Sequence, residues 1–119
     1  MGGKSFHELI VWQKSMELAR LVYMLVKKLP KEELFSLSNQ MRRAAVSIPS
    51  NIAEGQARNF PKEFQQFLAV AQGSKAELET QLLLCVSVGY LTEADISKSI
   101  DLLHEIGKMI TSLSYSLNS

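Results

Sequence analysis

Between His7 and Leu29 the apolar residues occupy two adjacent rows of a helix, and this width constrains the fold more than any other feature. Leu9, Trp12, Met16, Ala19, Tyr23 and Val26 recur at three and four, and Val11, Leu18, Val22, Leu25 and Leu29 form a second row beside them. Together the rows cover roughly 200° of the helix, against the ~100° stripe that a surface helix needs. Such a segment has to lie against several partners. Pro30 closes it, because the residue before a proline avoids the helical region.

Helical periodicity continues to the C-terminus, and strand-like alternation persists nowhere. A second helix begins near Ser36 or Ser38, either of which can cap it, and runs to about Gly55–Ala57 with a kink expected at Pro49. A third begins around Asn59–Pro61, where Asn can cap and Pro suits the first turn. Gly73 interrupts it at a cost of about 1 kcal/mol relative to Ala, which predicts close packing against another backbone. In the connection Gly89-Tyr90-Leu91-Thr92, Gly89 suits a left-handed helix end. Thr92 and Asp95 form an acidic capping box, and Leu91 and Ile96 a hydrophobic staple. The fourth helix reaches about Tyr115. Four helices of about 20 residues or more with short connections predict an all-α, antiparallel up-and-down four-helix bundle, one domain over residues 1–119. A bundle core hides one stripe per helix, so the surplus on the first predicts a homo-oligomer. Val11, Leu18, Val22 and Leu25, or the opposite row, are expected to bury against a neighbouring subunit.

The inventory of reactive groups is thin. His7 and His104 sit in no recognisable ligand spacing, and Glu-x-x-His, the metal signature of ferritin-like bundles, is absent. The lone Cys85 cannot form an internal disulfide, and it lies among Leu82, Leu83, Leu84 and Val86 as a buried thiol would. No catalytic residue, metal or cofactor is expected, which points to a non-enzymatic protein. No apolar run reaches the ~18 residues of a membrane span. Glu8, Gln13 and Lys14 break the N-terminal segment too often for a signal peptide, so the expected compartment is the cytoplasm.

Net charge is +1 but unevenly spread. Residues 1–62 hold ten Lys/Arg against five Asp/Glu, and residues 63–119 hold three against seven. Either the halves complement each other within the fold, or the basic half faces an anionic partner such as RNA. Arg20, Lys27 and Lys31 share one face of the first helix and its exit, and Arg42, Arg58 and Lys62 can extend a basic surface from the second. Repeated around an oligomer, these charges would make a weak site multivalent.

The stretch Gln40–Arg58 adds a second kind of signal. Gln40, Arg43, Ser47, Asn51, Glu54 and Arg58 fall within roughly 80° of each other on a helix. These are residues that make directed hydrogen bonds. They can answer Ser74 and Glu77 on the third helix, with Arg43 or Arg58 paired to Glu77. Such a stripe is either a structural polar network or a ligand or RNA site. The structural reading is preferred, because buried polar groups must be satisfied internally first.

Three segments, F-x-x-L-x-V-W-Q-K at Phe6–Lys14, Q-x-R-R-A-A-V-S-I-P-S-N-I-A-E-G-x-x-R at Gln40–Arg58 and G-S-x-x-E-L-E-T at Gly73–Thr80, resemble a known bacterial family. It comprises the four-helix-bundle proteins encoded in intervening sequences of 23S ribosomal RNA genes, often labelled S23 ribosomal protein. The accessory variability protein of diversity-generating retroelements is similar in fold. That resemblance implies a pentameric barrel of bundles that binds nucleic acid and a reverse transcriptase. The resulting expectation is a homo-oligomeric scaffold for structured RNA, with a protein-binding adaptor that has no nucleic-acid role as the alternative.

Overall fold

The computed structural model describes residues 5–118. Four helices, α1 (Ile10–Val26), α2 (Leu37–Arg58), α3 (Pro61–Ser87) and α4 (Glu93–Ser116), form an all-α bundle, with short 3-10 turns at Phe6–Glu8 and Lys31–Glu33. No strand occurs among the described residues. α1 packs on α2 and α4, and α3 packs on the same two helices, so the order around the bundle follows the order along the chain. The body measures 46 × 23 × 20 Å. Its core is filled by Leu18, Val22, Met41, Ile48, Ile52, Leu68, Leu78, Leu82, Leu103 and Ile106, all fully buried.

α1 begins three residues later than its periodicity predicts. Ser5 caps the 3-10 turn before it and Leu9 is extended. That geometry folds the leading segment back on the helix. The Phe6 and His7 rings stack at 4.1 Å and both meet Trp12 edge-on, at 5.2 and 5.4 Å.

Of the two rows, either of which is expected to meet a neighbouring subunit, the one of Val11, Leu18, Val22 and Leu25 lies inside this chain's own core. The reason is geometric: a helix in a closed bundle of four touches two neighbours, so this row is used by α2 and α4. In the adjacent row only Ala19 and Val26 are buried, and Met16 and Tyr23 stay exposed. Surplus apolar surface survives at Met16, Tyr23 and Met24 on α1, at Val70 and Leu84 on α3 and at Val88, its C-cap.

α2 and α3 form the tightest pairing, and Gly55 explains how. A Cβ built there would stand 2.7 Å from Phe64 Cδ1 and 2.8 Å from the Phe67 Cβ. The close approach therefore falls at Gly55, whereas the expectation placed it at Gly73, which has no atom within 4 Å of its Cβ position. Two substitutions should diverge in thermal melts. Gly55→Ala is expected to destabilise by about 1–3 kcal/mol through overpacking, beyond any gain in helix propensity. Gly73→Ala is expected to stabilise by about 0.5–1 kcal/mol, because it only restricts the unfolded backbone.

The helix ends obey local rules. Asn59 terminates α2 in the left-handed conformation, φ 66°, which asparagine tolerates better than most residues. Phe60, not Asn59, then occupies the cap position of α3, with Pro61 in its first turn. Gly89 is left-handed at φ 86°. The capping box is complete: Asp95 N–H donates to Thr92 Oγ1 at 3.0 Å and Thr92 N–H donates to Asp95 Oδ2 at 2.9 Å.

Candidate functional site

Ion pairs sort the cations into two groups. Lys14–Glu105 (3.1 Å), Lys98–Glu17 (3.4 Å) and Lys28–Asp95 (2.8 Å) join α1 and its exit to α4. Arg58 is shared between Glu54 (3.1 Å) and Glu63 (3.3 Å), and Glu79 receives Lys75 and His104. The basic and acidic halves of the chain thus partly neutralise each other. Arg20, Lys27, Lys31, Arg42, Arg43, Lys62 and Lys108 have no ion-pair partner among the described residues.

Four of these seven, Lys27, Lys31, Arg42 and Arg43, line a shallow groove made of three adjoining depressions that share wall residues. Lys27, Lys31 and Arg42 line its first section with Tyr23 and Leu34. Tyr23 and Arg42 continue into a second section with Asn39, Arg43 and Ser47. Asn39, Arg43 and Ser47 open into a third, with Phe35, Gln40, Ser74 and Glu77, on the α3 side of α2. The groove crosses the N-terminal half of α2 from α1 to α3.

The six basic residues singled out in the sequence therefore do not make one surface. Lys27, Lys31 and Arg42 come together, and Arg20 shares their side of α1, seven residues from Lys27 and so only about 20° away around the helix. Arg58 lies at the other end of α2, about 24 Å from Arg42 at the α-helical rise, and Lys62 follows it in the first turn of α3. Arg58 is also occupied there, and its guanidinium is held more basic by the hydrogen bond to Glu54. Arg43, Tyr23 and Phe35 also belong to the groove, although the sequence pattern places Arg43 in the polar stripe of α2 and Tyr23 in an apolar row of α1. The sequence signal for Phe35 is a large aromatic residue lying outside any helical row.

The polar stripe of α2 also divides. Ser47 accepts hydrogen bonds from Ser74 Oγ at 2.8 Å and Asn51 Nδ2 at 2.9 Å, while Glu54 and Arg58 form a separate cluster with Glu63. Within the chain neither arginine pairs with Glu77. α2 and α3 run antiparallel from a turn at Asn59–Phe60, which places Ser47 level with Ser74 and Arg58 level with Glu63. Arg58 is consequently about 20 Å from the level of Glu77 at 1.5 Å per residue. Arg43 does line the same cavity as Glu77, without an ion pair. Glu77 is exposed and accepts only a long hydrogen bond from Gln81, 3.4 Å.

Two carboxylates fasten this end of the bundle. Glu33 accepts from Ser36 Oγ at 2.7 Å, Tyr90 Oη at 2.8 Å and the Leu37 N–H at 3.4 Å. The Ser36 and Tyr90 hydrogen bonds hold its pKa below the ordinary carboxylate value. Asp95 is lowered to about 2, first by its bond to Lys28 and then by the Thr92 N–H. A depressed carboxylate contributes stability above its unfolded pKa and loses it as pH falls through the folded one. Melting temperature should therefore decline between pH ~4 and pH about 2. Asp95→Asn should melt below wild type at neutral pH, and that difference should vanish at the acid end of this window.

Reactive chemistry is sparse around the groove. No group of three or more His, Cys, Asp or Glu among the described residues is placed to hold a metal. Cys85 is buried, and burial pushes its thiol pKa up, away from the thiolate that would react. No described helix is long and apolar enough to cross a membrane.

Fold and surface together define a small four-helix-bundle protein whose distinctive chemistry is a basic groove across two helices. The chain belongs to the 23S rRNA-intervening sequence protein family, whose model matches residues 7–112. It is similar to a crystal structure of a protein of unknown function from the S23 ribosomal protein family of Bacteroides thetaiotaomicron. The two are 28% identical with a TM-score of 0.81, over 88% of this chain and 98% of that one. No curated protein matches the sequence.

Proposed function

We propose that this protein is a non-enzymatic, homo-oligomeric scaffold that holds structured RNA through its phosphates. The observation that carries the reading is the clustering of four of the seven unpaired described cations, Lys27, Lys31, Arg42 and Arg43, along one groove. Cations left without partners beside a channel are what a polyanion's backbone requires, and release of its counterions would drive binding. The low net charge is no obstacle, since an oligomer presents the groove once per subunit and the sites act together. The exposed apolar residues Val70 and Leu84 on α3, Val88 at its C-cap, and Met16 and Met24 on α1 supply surface for the subunit contact. Gel filtration with light scattering tests the assembly, and a monomer at micromolar concentration would refute it. A titration with structured RNA over a salt series tests the binding. Affinity should fall steeply with salt and depend little on sequence. Absence of binding at ~50 mM salt, where phosphate-driven affinity is strong, would favour the protein-binding adaptor.

A further inference from the structure

Phe35 is the most exposed large apolar side chain described, at 90%. It does not sit on a loose loop. Its turn is pinned by the three hydrogen bonds that Glu33 accepts, from Ser36 and Leu37 on one side and from Tyr90 of the α3–α4 connection on the other. The fold thus holds an aromatic ring in solvent on a braced support. Beside the ring lies a cavity of about 460 Å³ lined by Asn39, Gln40, Arg43, Ser47, Ser74 and Glu77. The side-chain amides of Asn39 and Gln40 have no partner among the described residues, and each offers both a donor and an acceptor. Ser47 already accepts from Ser74 and Asn51, leaving its own proton as a donor.

From this arrangement we infer that Phe35, Asn39, Gln40 and Arg43 form a site for one unpaired nucleobase of single-stranded RNA. The inference rests on the RNA reading above and adds what the groove selects. The base stacks on Phe35, and its hydrogen-bonding edge meets the amides of Asn39 and Gln40. Side chains of these kinds recognise bases that have left a helix, since a base within a duplex is already stacked and paired. The charges fix the direction. Glu77 repels phosphate on the α3 side and can accept from a base amino group, whereas Arg43, Arg42, Lys31 and Lys27 draw the backbone toward α1. The ligand is therefore a loop or single-stranded stretch, and a blunt duplex satisfies only the phosphate part of the groove.

The test uses the full chain and two RNA probes: a hairpin with 2-aminopurine in its unpaired loop, and a blunt duplex of equal length. Wild type is expected to bind the hairpin more tightly than the duplex and to change the 2-aminopurine emission as the base stacks. Phe35→Ala should lose about tenfold in hairpin affinity and the emission change, while keeping duplex affinity and oligomer mass. Phe35→Trp should retain both signals. Equal hairpin affinity in wild type and Phe35→Ala would overturn the base site and leave phosphate binding standing. Loss of the oligomer in Phe35→Ala would overturn it too, making the ring a contact between copies of this chain. Absence of binding to either RNA by wild type would remove the base site together with the reading on which it rests.

Discussion

Leu18→Ala should lower stability by about 2–5 kcal/mol, and the loss should not change with protein concentration. Leu18 is fully buried between helices of one chain, so truncation removes apolar burial and opens a cavity that the packed bundle can only partly collapse. Val11, Val22 and Leu25 share this environment and should behave alike, with smaller effects for the valines. Denaturant melts at low and high protein concentration check the prediction. A residue at a subunit contact would give a transition that shifts with concentration, since assembly stabilises by mass action. Such a shift in Leu18→Ala beyond that of wild type would return the row to an interface.

Reversing charge at Lys27 and Lys31 together should abolish RNA binding at ~50 mM salt and leave the oligomer intact. Each lost phosphate contact on a single strand lowers the salt slope by roughly 0.7, and a reversed charge also repels the phosphate it once held. Both side chains are exposed and neither has an ion-pair partner among the described residues, so the double variant should fold and melt like wild type. Lys62→Glu, in the first turn of α3, provides the contrast and should bind almost normally. Equal weakening by both variants in a salt-series titration would mean that binding is spread over the whole surface, with no particular role for the groove.

What could be read from the sequence was local. Gly89, Thr92 and Asp95 end one helix and start the next through bonds spanning three residues or fewer, so their roles follow from identity and spacing. The four helices and their bundle arrangement follow likewise from the period of apolar residues. The 23S rRNA-intervening sequence family was readable from runs of residues such as Gln40–Arg58 for the same reason.

The outcomes that needed the tertiary structure depend on register between helices. Two apolar rows on α1 look the same whether a helix or another subunit covers them. Only the packing of α1 between α2 and α4 put Val11, Leu18, Val22 and Leu25 inside and left Met16 and Tyr23 of the adjacent row exposed. Arg43 and Arg58 share one stripe of α2, but the antiparallel hairpin sets Arg58 beside Glu63 and leaves Arg43 unpaired at the level of Glu77. The groove from Lys27 to Phe35 joins residues of α1, the connection and α2, and no helical period relates them. Side-chain direction on one helix is fixed by its 3.6-residue turn. Which charge meets which across helices is fixed by turn length and packing depth, and those belong to the folded chain as a whole.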